Sequence, residues 1–204
     1  ADEMGDAATM RGYAPDAGYA FLIDAILQND YAARGVSLDA DEIFVSDGAK
    51  CDVGNIQEIF AQDALVAVPD PVYPVYRDTN IMAGREIEYL PCRAENNFAP
   101  ALPEKSAGLI YLCSPNNPTG AVYPKEVLEK FIDIALRHHL IIFNDEIYDK
   151  ILYDGAKHTS LASLTNELFC VTFNGLSKNY RSCGFRAGWM IVSGNKKIAD
   201  DYID

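Results

Sequence analysis

The chain has 204 residues, of which 49% are hydrophobic and 23% are charged, a composition typical of a globular domain with its own core. Its formal net charge of −13 argues against nucleic acids and anionic lipid surfaces as partners, because both are bound through clustered Lys and Arg. We therefore expect no nucleic-acid partner and no membrane partner.

Short apolar segments alternate with amphipathic segments along the chain. The predicted strands are 43–46, 64–68, 86–90, 109–113, 140–143, 169–173 and 187–192. The predicted helices are 18–34, 52–61, 74–83 and 125–138. This alternation indicates an α/β fold with three layers, α/β/α, around a mostly parallel seven-stranded sheet. No repeat or linker-like segment interrupts it, so we predict a single domain over 1–204.

Four predicted strands run directly into polar loops. These loops are residues 47–50, 114–120, 144–145 and 174–178. In an open α/β sheet, ligands bind beyond the carboxyl ends of the strands. If the four strands are parallel, their loops meet at one edge of the sheet and can share one ligand.

Lys178, in the last of these loops, is the most informative residue. It lies between two apolar segments, and Arg186 follows eight residues later. A lysine at the mouth of a sheet can form an imine with an aldehyde cofactor, and an arginine can hold that cofactor's phosphate. Arg186 begins an apolar strand, where an uncompensated charge is costly, so we expect an anionic partner. The alternative for Lys178 is an ordinary solvated side chain.

The other loops supply complementary parts. Residues 48–50 begin a predicted helix and offer backbone N–H groups to a phosphate, or they form a plain strand-to-helix turn. Asp145 follows a fully apolar strand, so we expect it to be partly buried and to need a cationic partner. A protonated pyridine nitrogen is such a partner; the alternative is an N-cap for a helix over 146–151.

Three further side chains fit the same ligand. Tyr148 and Asn117 could reach a phenolic oxygen of the cofactor, although packing and turn formation are the alternatives. Tyr73 could stack on a planar ring, or it belongs to a proline-stiffened turn. An aldehyde, a phosphate, a pyridine and a phenol in one cofactor indicate pyridoxal phosphate chemistry.

The five cysteines show no CxxC pair and no cluster with histidine. This predicts neither a disulfide framework nor a zinc site, and we expect no bound metal. No apolar run reaches the roughly 18 residues of a membrane span, and the N-terminus lacks a signal pattern. A cytoplasmic location is therefore favoured.

The motifs Asn-Pro-Thr-Gly at 117–120, Asp-Glu-Ile-Tyr at 145–148 and Ser-Lys at 177–178 resemble those of fold-type I, class I/II aminotransferases. The resemblance covers essentially the whole chain and implies the large, cofactor-binding domain of that family. It implies that Lys178 binds the cofactor as an imine and then moves the substrate proton. It also implies roles for eight other residues around the cofactor: Asp145 at the pyridine nitrogen, Asn117 and Tyr148 at the phenolic oxygen, Tyr73 on the ring, and Ala49, Lys50, Ser177 and Arg186 at the phosphate.

The resemblance implies a homodimer as well, because Tyr13 is similar to a tyrosine that reaches the phosphate of the neighbouring subunit. Residues 11–92 resemble the LL-diaminopimelate aminotransferase subfamily, whereas 114–193 resemble bacterial alanine (glutamate–pyruvate) aminotransferases. Two departures weaken the choice of substrate: Asp16 replaces a glutamate, and Gly175 replaces a phosphate-binding serine.

Complete chains of the resembled family are longer, so we expect the N-terminal arm and the C-terminal small domain to be absent from residues 1–204. The predicted activity transfers an amino group from an amino acid to a 2-oxo acid. Two alternatives stay open. The same cofactor site serves C–S lyases on this fold, and the isolated segment could bind the cofactor without turnover.

Overall fold

The computed structural model describes residues 2–105 and 107–199, and its centre is a seven-stranded sheet. The strands are β1 (Ile43–Ser46), β2 (Val66–Asp70), β3 (Ile87–Pro91), β4 (Leu109–Cys113), β5 (Ile141–Asp145), β6 (Cys170–Gly175) and β7 (Gly188–Ser193), in the spatial order β1-β7-β6-β5-β4-β2-β3. All seven predicted strands are confirmed.

The helices are α1 (Asp2–Gly5), α2 (Ala20–Ile26), α3 (Ala49–Asn55), α4 (Pro74–Met82) and α5 (Lys125–His138). The predictions for α4 and α5 are confirmed. The segment predicted as a helix over 18–34 is helical from Ala20 to Arg34, but it is not one regular α-helix: α2 passes into a π-helical turn and then a 3₁₀ turn that ends at Gly35 in the left-handed conformation. The Asn29 amide donates to the Ala25 carbonyl oxygen, a side-chain contact that competes with the regular helical ladder.

The helix predicted over 52–61 begins earlier, at Ala49, and ends in a 3₁₀ turn over Ile56–Ile59. Gly48 precedes it with φ +130°, a conformation open to glycine but not to other residues without strain. This early start brings the first turn of α3 to the edge of the sheet.

Strand direction decides where the loops meet. The pairs β2–β3, β2–β4, β4–β5 and β5–β6 are parallel, whereas β7 is antiparallel to both β6 and β1. Two reversals cancel, so β1 points the same way as β6. The carboxyl ends of β1, β4, β5 and β6 therefore lie at one edge, where β7 begins. The mostly parallel sheet predicted from the sequence is confirmed.

The centre of the sheet is buried on both faces. On β4, Ile110 and Leu112 belong to the core under α5, whereas the alternating Leu109, Tyr111 and Cys113 belong to the core under α3 and α4. A third cluster joins α2 to β1 and β7. Because neighbouring strand residues face opposite sides, this division confirms the three-layer architecture. Within the described residues, no helix has the length and apolar character needed to cross a membrane.

Candidate active site

A cavity of about 180 Å³ opens at the edge of the sheet where these carboxyl ends meet. Nine of the ten site residues predicted from the sequence line it: Ala49, Lys50, Tyr73, Asn117, Asp145, Tyr148, Ser177, Lys178 and Arg186. The loops therefore meet as the strand pattern predicted. The chemical roles assigned to these residues stay predictions.

Asp145 is the last residue of β5, between Cys113 of β4 and Phe173 of β6, and is 7% exposed. Its Oδ1 accepts the Ile147 N–H at 2.9 Å, and its Oδ2 accepts the Tyr76 hydroxyl at 2.5 Å. Burial raises the pKa of the Asp145 carboxyl, and these two hydrogen bonds oppose that rise. The cavity wall thus holds a carboxylate whose position is fixed by hydrogen bonds and whose ionised form is disfavoured by burial.

The helix predicted over 146–151 is wrong, because residues 147–150 form hydrogen-bonded turns. Asp145 nevertheless holds the Ile147 N–H, as an N-cap would. The turn leaves Tyr148 half-buried, and its side chain lines the same cavity as Asp145.

Lys178 lies in a turn directly after β6. The Tyr180 N–H donates to the Leu176 carbonyl oxygen at 3.3 Å, and the Ser182 hydroxyl donates to the same oxygen at 2.9 Å. The turn places the Lys178 side chain at the solvent-exposed mouth of the cavity. A ligand can therefore reach its amine from solvent.

The β6–β7 pair is unusually close at this edge. A Cβ on Gly175 would lie 2.9 Å from the Ala187 carbonyl oxygen, so this chain has no room for the serine that the resembled family carries at this position. A Cβ on Gly188 would lie 2.4 Å from the Ala49 nitrogen. These contacts pack the beginning of β7 against the beginning of α3.

This packing brings a cation to the beginning of α3. A Cβ on Gly48 would lie 2.6 Å from Arg186 Nη2, so the guanidinium rests directly over the glycine backbone. In the first turn of α3 the Cys51 N–H donates to the Gly48 carbonyl oxygen at 2.8 Å, which leaves the N–H groups of Ala49 and Lys50, ahead of it, without an acceptor within the helix. Among the described residues, Lys50, Lys178 and Arg186 line the cavity against the single acid Asp145, in a chain of net charge −13. Such a local excess of positive charge favours an anionic ligand.

Replacing Gly188 with alanine tests this packing. We expect the free energy of unfolding to fall by about 1–3 kcal/mol, because the new methyl group must displace the backbone of Ala49. Chemical denaturation measures the change. Gly184→Ala is the control, since its Cβ would meet none of the described atoms within 4 Å. Equal stability of the two variants would contradict the close packing.

A second polar cluster lies below the lysine loop. The Arg34 guanidinium pairs with Asp149 and lies 3.5 Å from Glu146 Oε2. Asp149 also accepts the side-chain amides of Asn174 and Asn179, which flank Lys178 in sequence. Asp149 therefore ties the lysine loop to the segment after β5.

Glu146, Asp149 and His158 have ligand atoms within 4.8 Å of one another, a grouping that the sequence spacing did not reveal. Arg34 already supplies a positive charge to both carboxylates. This cationic partner fills the electrostatic role that a metal ion would have, so we assign no metal here.

His158 in this cluster predicts a pH effect on stability. Burial lowers the pKa of its imidazole from 6.5 to about 4, with Asp149 raising it and Arg34 lowering it. The unfolded chain therefore binds a proton at this histidine more readily, which contributes a rise in the free energy of unfolding between about pH 4 and 6.5. The neighbouring Glu146, whose pKa burial raises to about 8, contributes a fall above about pH 4.5. His158→Gln should remove the rising contribution and so make the slope of the free energy of unfolding against pH more negative in denaturation measurements. Replacement of the exposed His138 by Gln should leave the slope of the free energy of unfolding against pH unchanged. An unchanged slope in His158→Gln would contradict the effect assigned to His158.

Sequence reasoning missed several lining residues, notably Tyr76, Cys113 and Ile147. A signal for Tyr76 was available. It lies three residues after Tyr73 across the first turn of α4, and residues at that spacing share a helix face.

Tyr13 is the predicted residue that does not line the cavity within the described part of the chain. Its side chain is fully exposed. The adjacent segment is ordered by the Tyr19 hydroxyl, which donates to the Gly12 carbonyl oxygen at 3.0 Å, and by Arg11 over the Tyr19 ring. Its predicted role in a neighbouring subunit stays a prediction.

The fold and cavity define an α/β domain with a guanidinium, an exposed lysine amine and a buried carboxylate at one sheet edge. The family model for aminotransferase class I and II matches residues 1–202, so the chain belongs to that family.

Similar proteins of known sequence and structure support the same family. An LL-diaminopimelate aminotransferase of Desulfosudis oleivorans is 46% identical over 202 residues, covering 94% of this chain and 49% of the relative. An Escherichia coli aminotransferase structure superposes with a TM-score of 0.91 at 37% identity, covering 98% of this chain and 52% of that one. The alanine aminotransferase of Pyrococcus furiosus gives a TM-score of 0.84 at 29% identity over 89% of this chain and 48% of that one. The chain thus spans about half the length of the curated relatives it matches.

Proposed function

We propose that this chain is the cofactor-binding part of a pyridoxal phosphate-dependent aminotransferase, which moves an amino group from an amino acid to a 2-oxo acid. The observation that carries this proposal is the meeting of Lys178, Asp145 and Arg186 around one cavity. An amine, a buried acid and an anion site match the aldehyde, the ring nitrogen and the phosphate of this cofactor.

The residues present fit this group. Gly48 leaves the space that the Arg186 guanidinium occupies, and α3 begins beside it, so a phosphate has both a cation and backbone N–H groups. Ala49, Lys50 and Ser177 line the same part of the proposed site, and Tyr73 offers a ring for stacking. When bound, the cofactor supplies an electron sink for negative charge at the substrate Cα.

The protein residues would divide the remaining work. Lys178 binds the cofactor aldehyde and moves a proton at the substrate Cα, which its exposed position at the cavity mouth allows. Asp145 holds the proton at the ring nitrogen and compensates its charge. Asn117 and Tyr148 orient the phenolic oxygen from two different loops. Because each group comes from a separate loop, the orientation depends on the sheet.

The proposed amino donor is LL-diaminopimelate or alanine/glutamate. The curated relative of Desulfosudis oleivorans supports the first, and the Pyrococcus furiosus structure supports the second. Asp16 is exposed outside the cavity lining of the described residues, so its role in selecting a donor stays a prediction.

We further propose that residues 1–204 are the large domain, and that the protein is a homodimer in which Tyr13 reaches the partner's phosphate site. The full exposure of Tyr13 on an ordered segment supports the latter. The five cysteines are unpaired, which supports the proposed cytoplasmic location.

Borohydride reduction tests the cofactor site. Protein loaded with pyridoxal phosphate and then reduced should carry the label on the peptide containing Lys178, as mapped by mass spectrometry. A label on another lysine, or on none, would contradict the proposed site.

A panel of donors and acceptors tests the reaction. Amino transfer should require a 2-oxo acid, and the fastest donor should be LL-diaminopimelate, alanine or glutamate. Release of pyruvate and ammonia from a cysteine conjugate without an acceptor would instead identify a C–S lyase.

A further inference from the structure

Tyr76 is the buried side chain that joins two parts of the cavity wall. It is 1% exposed, and its hydroxyl donates to Asp145 Oδ2 at 2.5 Å. Its ring stacks on Tyr111 with centroids 5.1 Å apart and meets Tyr73 edge-on at 5.9 Å. Neighbouring rings on both sides therefore hold the hydroxyl in place.

The two oxygens of Asp145 are held from different directions. The Ile147 N–H binds Oδ1 from the turn after β5, and the Tyr76 hydroxyl binds Oδ2 from α4. Two donors fix the rotation of the carboxylate about its last bond. A carboxylate has about four lone-pair positions, so others stay free to face the cavity.

The direction of the hydrogen bond is set by the chemistry of the pair. Burial and the nearby Asp145 raise the pKa of the Tyr76 hydroxyl well above its ordinary value. Tyr76 is therefore a neutral donor and Asp145 an acceptor, an arrangement that favours the charged carboxylate.

We propose that Tyr76 is a positioning residue, which aims the Asp145 carboxylate at the ring nitrogen of the bound cofactor and keeps it ionised. This inference rests on the proposed function. It assigns the second tyrosine of α4 a different task from Tyr73, which stacks on the ring.

The test compares cofactor affinity in a double-mutant cycle of Tyr76→Phe and Asp145→Asn. Tyr76→Phe keeps the ring packing and removes the hydroxyl. We expect the dissociation constant for pyridoxal phosphate to rise roughly tenfold near pH 7.5, because a charged acceptor loses its donor. In the Asp145→Asn background the same substitution should change it by less than about twofold, since the partner charge is already absent.

A pH series gives a readout that a purely structural role would not move. Titratable groups from four elements act on Asp145: Tyr76 of α4, Cys113 of β4, Tyr148 after β5 and Lys178 after β6. The Tyr76 hydrogen bond lowers the pKa of Asp145. Its removal should move the acid limit of cofactor binding to higher pH.

Tyr123→Phe is the matched control. Tyr123 is equally buried, and among the described residues its hydroxyl has no hydrogen-bond partner. Cofactor affinity and its pH profile should match those of the wild-type protein. Equal losses from Tyr76→Phe in both Asp145 backgrounds, or no loss in either, would overturn the inference. Borohydride labelling of wild-type Lys178 separates this outcome from a failure of the proposed function.

Discussion

Replacing Lys178 with alanine is expected to remove covalent cofactor binding and to lower turnover by roughly 100- to 10,000-fold, the usual contribution of a positioned acid–base group. The cavity would keep the Arg186 guanidinium and the Asp145 carboxylate in its lining. Noncovalent cofactor binding should therefore survive. Rapid-mixing absorbance measurements of one turnover, together with borohydride labelling, check both parts.

Two control variants test whether the effect requires an amine and whether it is specific to position 178. Lys178→Arg keeps a cation but offers no amine for an imine, so it should fail like the alanine variant. Lys157→Ala removes an exposed lysine that lies outside the described cavity lining and should leave turnover unchanged. A small primary amine added to Lys178→Ala should restore part of the rate. Full activity in either Lys178 variant would contradict the proposal.

Replacing Asp145 with asparagine is expected to lower turnover by on the order of 100- to 1,000-fold, comparable to the loss of one electrostatic stabiliser in an active site. The amide is similar in size but carries no charge for the ring nitrogen. Steady-state kinetics with a saturating donor measure the effect. Asp63→Asn, on the exposed surface, is the control and should behave as wild type.

The same substitution should act differently on stability. Burial raises the pKa of Asp145, so the folded protein binds its proton more tightly than the unfolded chain does. Ionisation therefore costs stability as the pH rises through that range, and asparagine removes this cost. We expect the cofactor-free variant to be at least as stable as wild type at pH 7.5, as measured by denaturant unfolding. A large loss of stability would show that Asp145 is structural.

Asp149 anchors the loop that carries Lys178, although it is not among the described residues that line the cavity. It holds the two asparagines that flank Lys178, and it is paired with Arg34 from the segment after α2. The lysine loop is therefore anchored to buried groups below the cavity. This explains how an exposed lysine keeps a defined place at the mouth.

Local patterns were enough to predict much of this protein. The apolar runs predicted all seven strands, most clearly β4 and β6, which are buried along their whole length and therefore carry apolar residues on both faces. The polar loops at their carboxyl ends predicted that Lys50, Asn117, Asp145 and Lys178 would share one edge, since parallel strands bring their ends together. The family resemblance supplied the place of Ser177. Helix α5 was predicted at its exact ends because one apolar face and Pro124 mark it locally.

Tertiary structure decided the rest, because it depends on contacts between distant segments. The antiparallel β7 between β1 and β6 brings Arg186 to Gly48, a contact over more than a hundred residues that no local pattern encodes. The hydrogen bond from Tyr76 to Asp145 and the burial of Asp149 arise in the same way. Residue type and spacing determined which chemistry was available, whereas packing determined which groups hold it in place.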